Sequence, residues 1–118
     1  KMTPKKYLKY TVGYNSLIND TILKIQNNER GDLLVEKKGK IIGTISGGDI
    51  LRAILDNKDL NGSIQVAMNF NFKFLKKRDL KEAKKIFLRF GISLIPILDK
   101  NFQLKSVITL NEILKKNI

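Results

Sequence analysis

Two places in this sequence set a hydroxyl and a carboxylate three residues apart: Ser46 with Asp49, and Thr109 with Glu112. Around the first pair, Ile41-Ile42-Gly43-Thr44-Ile45-Ser46-Gly47-Gly48-Asp49-Ile50-Leu51-Arg52 reads as a β-branched apolar strand, a glycine-loosened corner and the first turn of a helix. The free N–H groups of a helix N-terminus favour an anion, and Gly47 and Gly48 let a ligand approach the backbone. One carboxylate can accept both hydroxyl protons of a ribose diol. The same residues at the same spacing also make a capping box, which does no more than start a helix. The residue types alone admit both readings.

The rest of the composition narrows what such corners could serve. The 118 residues, 42% of them hydrophobic, suffice for one small domain or two very small units packed together. There is no Cys and no His, which excludes disulfides, thiolate chemistry, imidazole metal sites and Ser-His or Cys-His nucleophile systems. Most enzyme classes go with them, so no catalytic residue and no metal site is expected. No apolar run approaches the roughly 18 residues of a membrane span, and the Lys-rich start lacks the apolar segment of a secretory signal. A cytoplasmic protein without a membrane partner is the expectation.

A net charge of +12 raises the question of nucleic acid. Residues 1–60 carry net +4 and residues 61–118 net +8, with the densest cluster at Lys73, Lys76, Lys77, Arg78, Lys81, Lys84 and Lys85. On a helix starting near Asp79, Lys81, Lys84 and Lys85 fall opposite Leu80, Ala83, Phe87 and Phe90. No aromatic residues interleave with those lysines to stack on bases, so a solvated face is expected there.

The elements that must hold the corners follow from the pattern. Residues 1–10 form a basic lead-in with little apolar surface, which packs late or stays loose. Residues 11–18 make a short strand or extended arm. A helix starting near Asp20 or Thr21 buries Ile22 and Ile25 and stops at Gly31, a fitting residue just past a C-terminus. A strand over 32–36, the polar turn Lys37-Lys38-Gly39-Lys40 and the strand at Ile41 come next, then a helix from Gly47 or Gly48 to about Asp56. The polar, turn-rich residues 57–62 form the joint between two halves, 11–60 and 61–118. A short helix is expected within 63–68. Asn69-Phe70-Asn71-Phe72-Lys73-Phe74 alternates with period two and predicts a strand with a phenylalanine face in the core. Asp79-x-x-Glu82 has capping-box spacing and opens a helix that ends at Gly91, followed by strands over 94–98 and 104–108 and a last helix over 112–116.

The second half thus repeats the first. An offset of 63 pairs Glu36 with Asp99, Ile41 with Leu104, Ile45 with Ile108, Ser46 with Thr109 and Asp49 with Glu112, while Gly31 and Gly91 are offset by 60. Two copies of a β-α-β-β-α unit is the economical reading.

Gly43-Thr44-Ile45-Ser46-Gly47-Gly48-Asp49 resembles the Gly-x-x-Thr/Ser-x-x-Asp motif of CBS domains. Gly91-Ile92-Ser93-Leu94-Ile95-Pro96-Ile97-Leu98-Asp99 resembles the family's more specific Gly-Ile-Ser-x-x-Pro-Val-Val-Asp. Both in register within one repeat make the chain similar to a tandem CBS pair, or Bateman module, over about residues 11–118. The resemblance implies an α/β (α+β) fold of two β-α-β-β-α repeats packed sheet to sheet with pseudo-twofold symmetry, and two clefts that commonly take adenine nucleotides. It places Ser46, Gly48 and Asp49 in one cleft with Ile92, Ser93 and Pro96, beside residues 72–75. The other cleft receives Thr109 and Glu112 with Gly31, Asp32 and Leu33, beside residues 12–14. There Ser106 replaces Gly43 and Glu112 replaces the Asp, while Asp32 adds a negative charge that disfavours phosphate, so the first cleft is the better nucleotide site.

Gly43-Thr44-Ile45-Ser46-Gly47-Gly48-Asp49-Ile50-Leu51-Arg52-Ala53-Ile54-Leu55 is also similar to CBS pairs N-terminal to bacterial sugar-phosphate nucleotidyltransferases, though Leu51 and Gly47 depart from that pattern. The implied function is a non-catalytic regulatory module that requires no cofactor and senses AMP, ADP or ATP on behalf of a catalytic domain in the same or a partner chain. A homodimer is expected, because the helices after the two corners carry more apolar residues than one small domain need bury. The rival readings are a structural dimerisation pair with empty clefts and a basic nucleic-acid-binding domain, the second being the weaker.

Overall fold

In a computed structural model, residues 3–27 and 31–118 are described. Lys5–Tyr10 forms a 3-10 turn, followed by β1 (Thr11–Gly13), α1 (Ile18–Gln26), β2 (Asp32–Lys37), β3 (Lys40–Ser46) and α2 (Gly47–Leu55). A short 3-10 turn at Ile64–Val66 leads to α3 (Leu80–Phe90), β4 (Leu94–Leu98), β5 (Leu104–Thr109) and α4 (Leu110–Lys115). The first sheet has the order β1-β2-β3, with β1 parallel to β2, and the second consists of the antiparallel pair β4-β5.

The strands read as continuous apolar runs because both of their faces are covered. Leu33, Val35 and Ile45 pack with Ile18 of α1 and Ile50 of α2 on one side. Leu34 and Ile41 point the other way, into a cluster with Leu94, Leu98, Leu104 and Val107 of the second sheet. Ile95, Ile97 and Ile108 then turn to Ala83 and Phe87 of α3 and Ile113 of α4. The order is therefore helices, sheet, sheet, helices, and the two repeats share the middle layer.

Both hairpins carry a bulge at matching places, between Val35 and Glu36 and between Ile97 and Leu98. Gly43 lies opposite Val35 and Ser106 opposite Ile97, so the repeats align at an offset of 62 in the first strand of the hairpin and 63 in the second. Glu36 is the counterpart of Leu98 rather than of Asp99, because the second turn is one residue longer.

Four sequence expectations need correction. Residues 69–74 are not a strand: only Asn69 bridges to Thr44 and Leu75 to Ile97, Phe70 is exposed, and Phe72 and Phe74 pack their rings 5.6 Å apart at the rim of the inter-sheet core. The second repeat so replaces its first strand by an irregular segment, since side-chain packing takes these phenylalanines off the strand register. The lead-in is not loose over residues 3–10. Thr3 Oγ1 donates to Glu36 at 2.7 Å, Tyr7 and Tyr10 pack on the inter-sheet cluster, and Lys24 Nζ donates to the carbonyls of Leu8 and Thr11. Burial lowers the pKa of Lys24.

Helix α1 starts before Asp20 because the linker caps it: Ile18 and Asn19 give their N–H groups to the carbonyls of Gly62 and Leu60, which no local side-chain signal announces. It is described to Gln26 with Asn27 as its cap. Gly31 (φ 73°) instead opens β2, and residues 28–30 lie outside the described residues. By contrast, α3 runs as read, with Asp79 accepting from the Glu82 N–H and Gly91 in the left-handed conformation. Among the described residues no helix is long and apolar enough to cross a membrane.

Candidate functional site

Strand β3 delivers Ser46 to the start of α2, and there the capping box forms. Ser46 Oγ accepts the Asp49 N–H at 3.2 Å, while Asp49 Oδ2 accepts the Ser46 N–H at 2.9 Å and its hydroxyl at 3.1 Å. The cap reading is therefore correct, yet it leaves chemistry over. Asp49 Oδ1 takes only Arg52, whose side chain is 69% exposed on the next turn. Gly47 gives its N–H to the Gly31 carbonyl at 3.3 Å, and among the described residues the Gly48 N–H has no acceptor.

This corner opens on a cavity of about 720 Å³, a volume typical of small-molecule sites. Repeat one contributes Gly31, Asp32, Thr44, Ser46, Gly47, Gly48, Asp49 and Arg52; the linker adds Asn69, Asn71, Phe72 and Lys73; repeat two adds Phe90, Gly91, Ile92 and Leu94. Phe72, Phe90 and Ile92 offer apolar surface to a planar ring. Lys73, whose Nζ stands 4.4 Å over the Phe90 ring, and Arg52 supply positive charge.

The glycine of the motif has a steric reason. A Cβ at Gly43 would stand 2.3 Å from Met68 Cε and 2.6 Å from the Asn69 carbonyl oxygen, because the linker lies directly on β3 there. That close approach sets the wall formed by Asn69 and Asn71.

Sequence and structure agree on placing Ser46, Gly48, Asp49 and Ile92 on one cleft. Asp32 belongs to this cleft as well, not to the second: β2 begins beside the corner, and Asp32 Oδ2 accepts the Ser93 N–H at 3.0 Å and its hydroxyl at 2.6 Å. Ser93 is thus engaged in tying the repeats together. Pro96 is buried within β4, its carbonyl accepting the Leu75 N–H at 3.0 Å, and does not line the cavity. Sequence reasoning missed Asn69, Asn71 and Phe90 as lining residues, since nothing local marks a linker as a wall.

The second corner is arranged differently. Thr109 Oγ1 accepts the Glu112 N–H at 3.1 Å. The Glu112 carboxylate pairs with Arg78, which also donates to Ser106 Oγ at 3.3 Å and the Val107 carbonyl at 3.4 Å, and with Lys116 at 3.0 Å. The Tyr7 hydroxyl donates to Ser106 at 3.3 Å, a contact that is the main cause of its lowered pKa. Leu33 is fully buried among the helices of repeat one and belongs to neither cleft. Among the described residues no three acidic side chains group to hold a metal ion.

The sequence pattern of the CBS domain matches residues 4–56 and 72–117. No curated protein matches the chain significantly. Among solved structures, a CBS domain protein from Pyrobaculum aerophilum complexed with AMP is 20% identical with a TM-score of 0.74, over 96% of this chain and 85% of that one. A CBS domain pair in complex with 5′-methylthioadenosine and S-adenosyl-L-methionine is 20% identical with a TM-score of 0.75, over 91% and 86%. The cytosolic domain of the Mg²⁺ channel MgtE, in complex with ATP, is 16% identical with a TM-score of 0.72, over 92% of this chain and 45% of that one.

Proposed function

The chain belongs to the CBS domain family, and from that premise we propose that it is a non-catalytic regulatory module that binds an adenine nucleotide in the cleft at Asp49. The ligands of the three similar structures, AMP, ATP and the methylthioadenosine and S-adenosylmethionine pair, have adenosine in common. The observation that carries the reading is the first corner. A carboxylate with one oxygen held only by an exposed arginine faces a cavity that also offers apolar surface and two cations.

In this reading Asp49 accepts the ribose hydroxyls, and Phe72 and Ile92 pack on the base. The Gly48 N–H, Lys73 and Arg52 meet the phosphate, and Ser46 fixes the carboxylate. Asp32 with Ser93 braces the cleft floor, and Pro96 supports β4 from behind. Thr109 and Glu112 form the weaker second corner. Bound nucleotide, AMP, ADP or ATP, would bias an enzyme in the same or a partner chain, with a sugar-phosphate nucleotidyltransferase as the specific candidate. The exposed apolar side chains Leu51, Ile54 and Leu55 of α2 and Leu114 of α4 support a homodimer and a cytoplasmic setting. They serve a structural dimerisation pair equally well, and that is the second reading.

A thermal-shift panel of AMP, ADP, ATP, GTP, CMP and nucleotide sugars separates the two. A ligand that binds the folded state raises the melting temperature by mass action. A dose-dependent rise with adenine nucleotides supports sensing, whereas a flat panel leaves dimerisation alone.

A further inference from the structure

We propose that Arg78 is the built-in occupant of the second hydroxyl–carboxylate corner and limits the module to one adenine nucleotide per chain. The ligand in this proposal rests on the function proposed above; the contact that carries it does not.

The two corners share an ancestor pattern and differ at positions that meet in one place. At Gly43 the linker lies on β3 and leaves no room for a side chain. Its counterpart Ser106 has a hydroxyl, and that oxygen accepts from both Tyr7 and Arg78 at 3.3 Å. At Asp49 one carboxylate oxygen turns back to the N-cap backbone. Glu112 is one methylene longer and, among the described residues, makes no such return bond; its Oε2 receives Arg78 and Lys116 instead. The serine and the longer acid in the second repeat both serve to hold a guanidinium that the first repeat does not have.

The contrast with Arg52 decides what this means. Arg52 sits on the same helix as Asp49 and can swing into solvent without disturbing another contact. Arg78 arrives from the segment before α3, its side chain 41% exposed against 69% for Arg52. It is held by Ser106, the Val107 backbone and Glu112 together. A neutral ribose diol reaching Glu112 must displace a guanidinium from a carboxylate, and charge-assisted pairs are about twice as strong as neutral hydrogen bonds. Arg78 is thus a specificity determinant that closes the second corner while the first stays open.

The test is an amide-shift titration of the whole chain with AMP, with calorimetry for stoichiometry. In the wild type, amides of residues 46–49 should shift to saturation and those of 109–112 should stay, with one AMP per chain. In Arg78→Met the second set should respond too, at its own AMP concentration, and the stoichiometry should rise to two. Arg78→Gln is the alternative variant should the methionine not fold. Two sites in the wild type, or a second corner still silent in a folded Arg78 variant that binds AMP at the first, overturns the proposal.

If no amide of either protein responds to AMP, the proposed function fails and a nucleotide-free arm judges the latch. Melting temperatures of Arg78→Met, Glu112→Gln and the double variant should then be non-additive, the double losing no more than the worse single. Additive losses overturn the latch whatever the titration gives.

Discussion

A single methyl group at Gly43 tests whether the first corner depends on the backbone that covers it. In Gly43→Ala the new Cβ would meet Met68 Cε at 2.3 Å and the Asn69 carbonyl oxygen at 2.6 Å. The methionine is flexible and can yield. The carbonyl cannot, because it accepts the Thr44 N–H at 2.9 Å while the Asn69 N–H donates to the Thr44 carbonyl at 2.8 Å. Overpacking of this kind costs about 1–3 kcal/mol, and opening one bridge bond adds about 0.5–1.5 kcal/mol. A loss of about 2–4 kcal/mol is expected, a large share of the about 5–15 kcal/mol that holds a small domain. Urea denaturation reads it as a lowered midpoint with an unchanged slope. Gly47→Ala is the control. Its Cβ meets nothing within 4 Å, and its φ is not positive, so stability should hold or rise by about 0.4–1 kcal/mol. Equal stabilities for Gly43→Ala and the wild type would refute the close-approach argument.

Lys24 gives a pH signature. Burial lowers its folded pKa below the ordinary 10.5, so between those two values the unfolded chain holds more protons and stability rises with pH. Alkaline denaturation series should show the wild type gaining on Lys24→Met as pH climbs through that window; parallel curves would remove the claim. Light scattering at tens of micromolar should give the mass of two chains, and Leu51→Asp with Leu55→Asp, both at exposed positions of α2, should give one. A wild-type monomer would end the dimer proposal.

How much was legible depended on whether the signal was local. The hairpins, α2 and α3 could be read because their period, their caps at Ser46 and Asp79 and the stop at Gly91 lie within a few residues of one another. The start of α1 could not, since its N–H groups are satisfied by Gly62 and Leu60 from the linker. The phenylalanine segment kept the alternation of a strand without the partners of one, as Phe70 faces solvent while Phe72 and Phe74 pack at the core rim. Ser46, Gly48, Asp49 and Ile92 could be placed on one cleft from motif and repeat alone. Asp32 went to the wrong cleft because its role depends on Ser93, 61 residues away. Arg78 hid among neighbouring lysines, and only the fold singles it out by setting it on Glu112.

The account turns on Asp49, and calorimetric titration of AMP and ATP into the wild type, Asp49→Asn and Glu112→Gln tests it most directly. An amide still caps a helix, and the lost pair is to an exposed Arg52, so stability should fall by at most about 1 kcal/mol. Affinity should suffer more: a neutral amide with one acceptor oxygen in place of a charged acceptor of two hydroxyls should cost about 1.5–3 kcal/mol, roughly tenfold to a hundredfold in Kd. Glu112→Gln should change affinity much less. Equal affinities across all three proteins, or no heat from the wild type at any nucleotide concentration, would mean that Asp49 only starts a helix and would contradict the nucleotide-sensing reading.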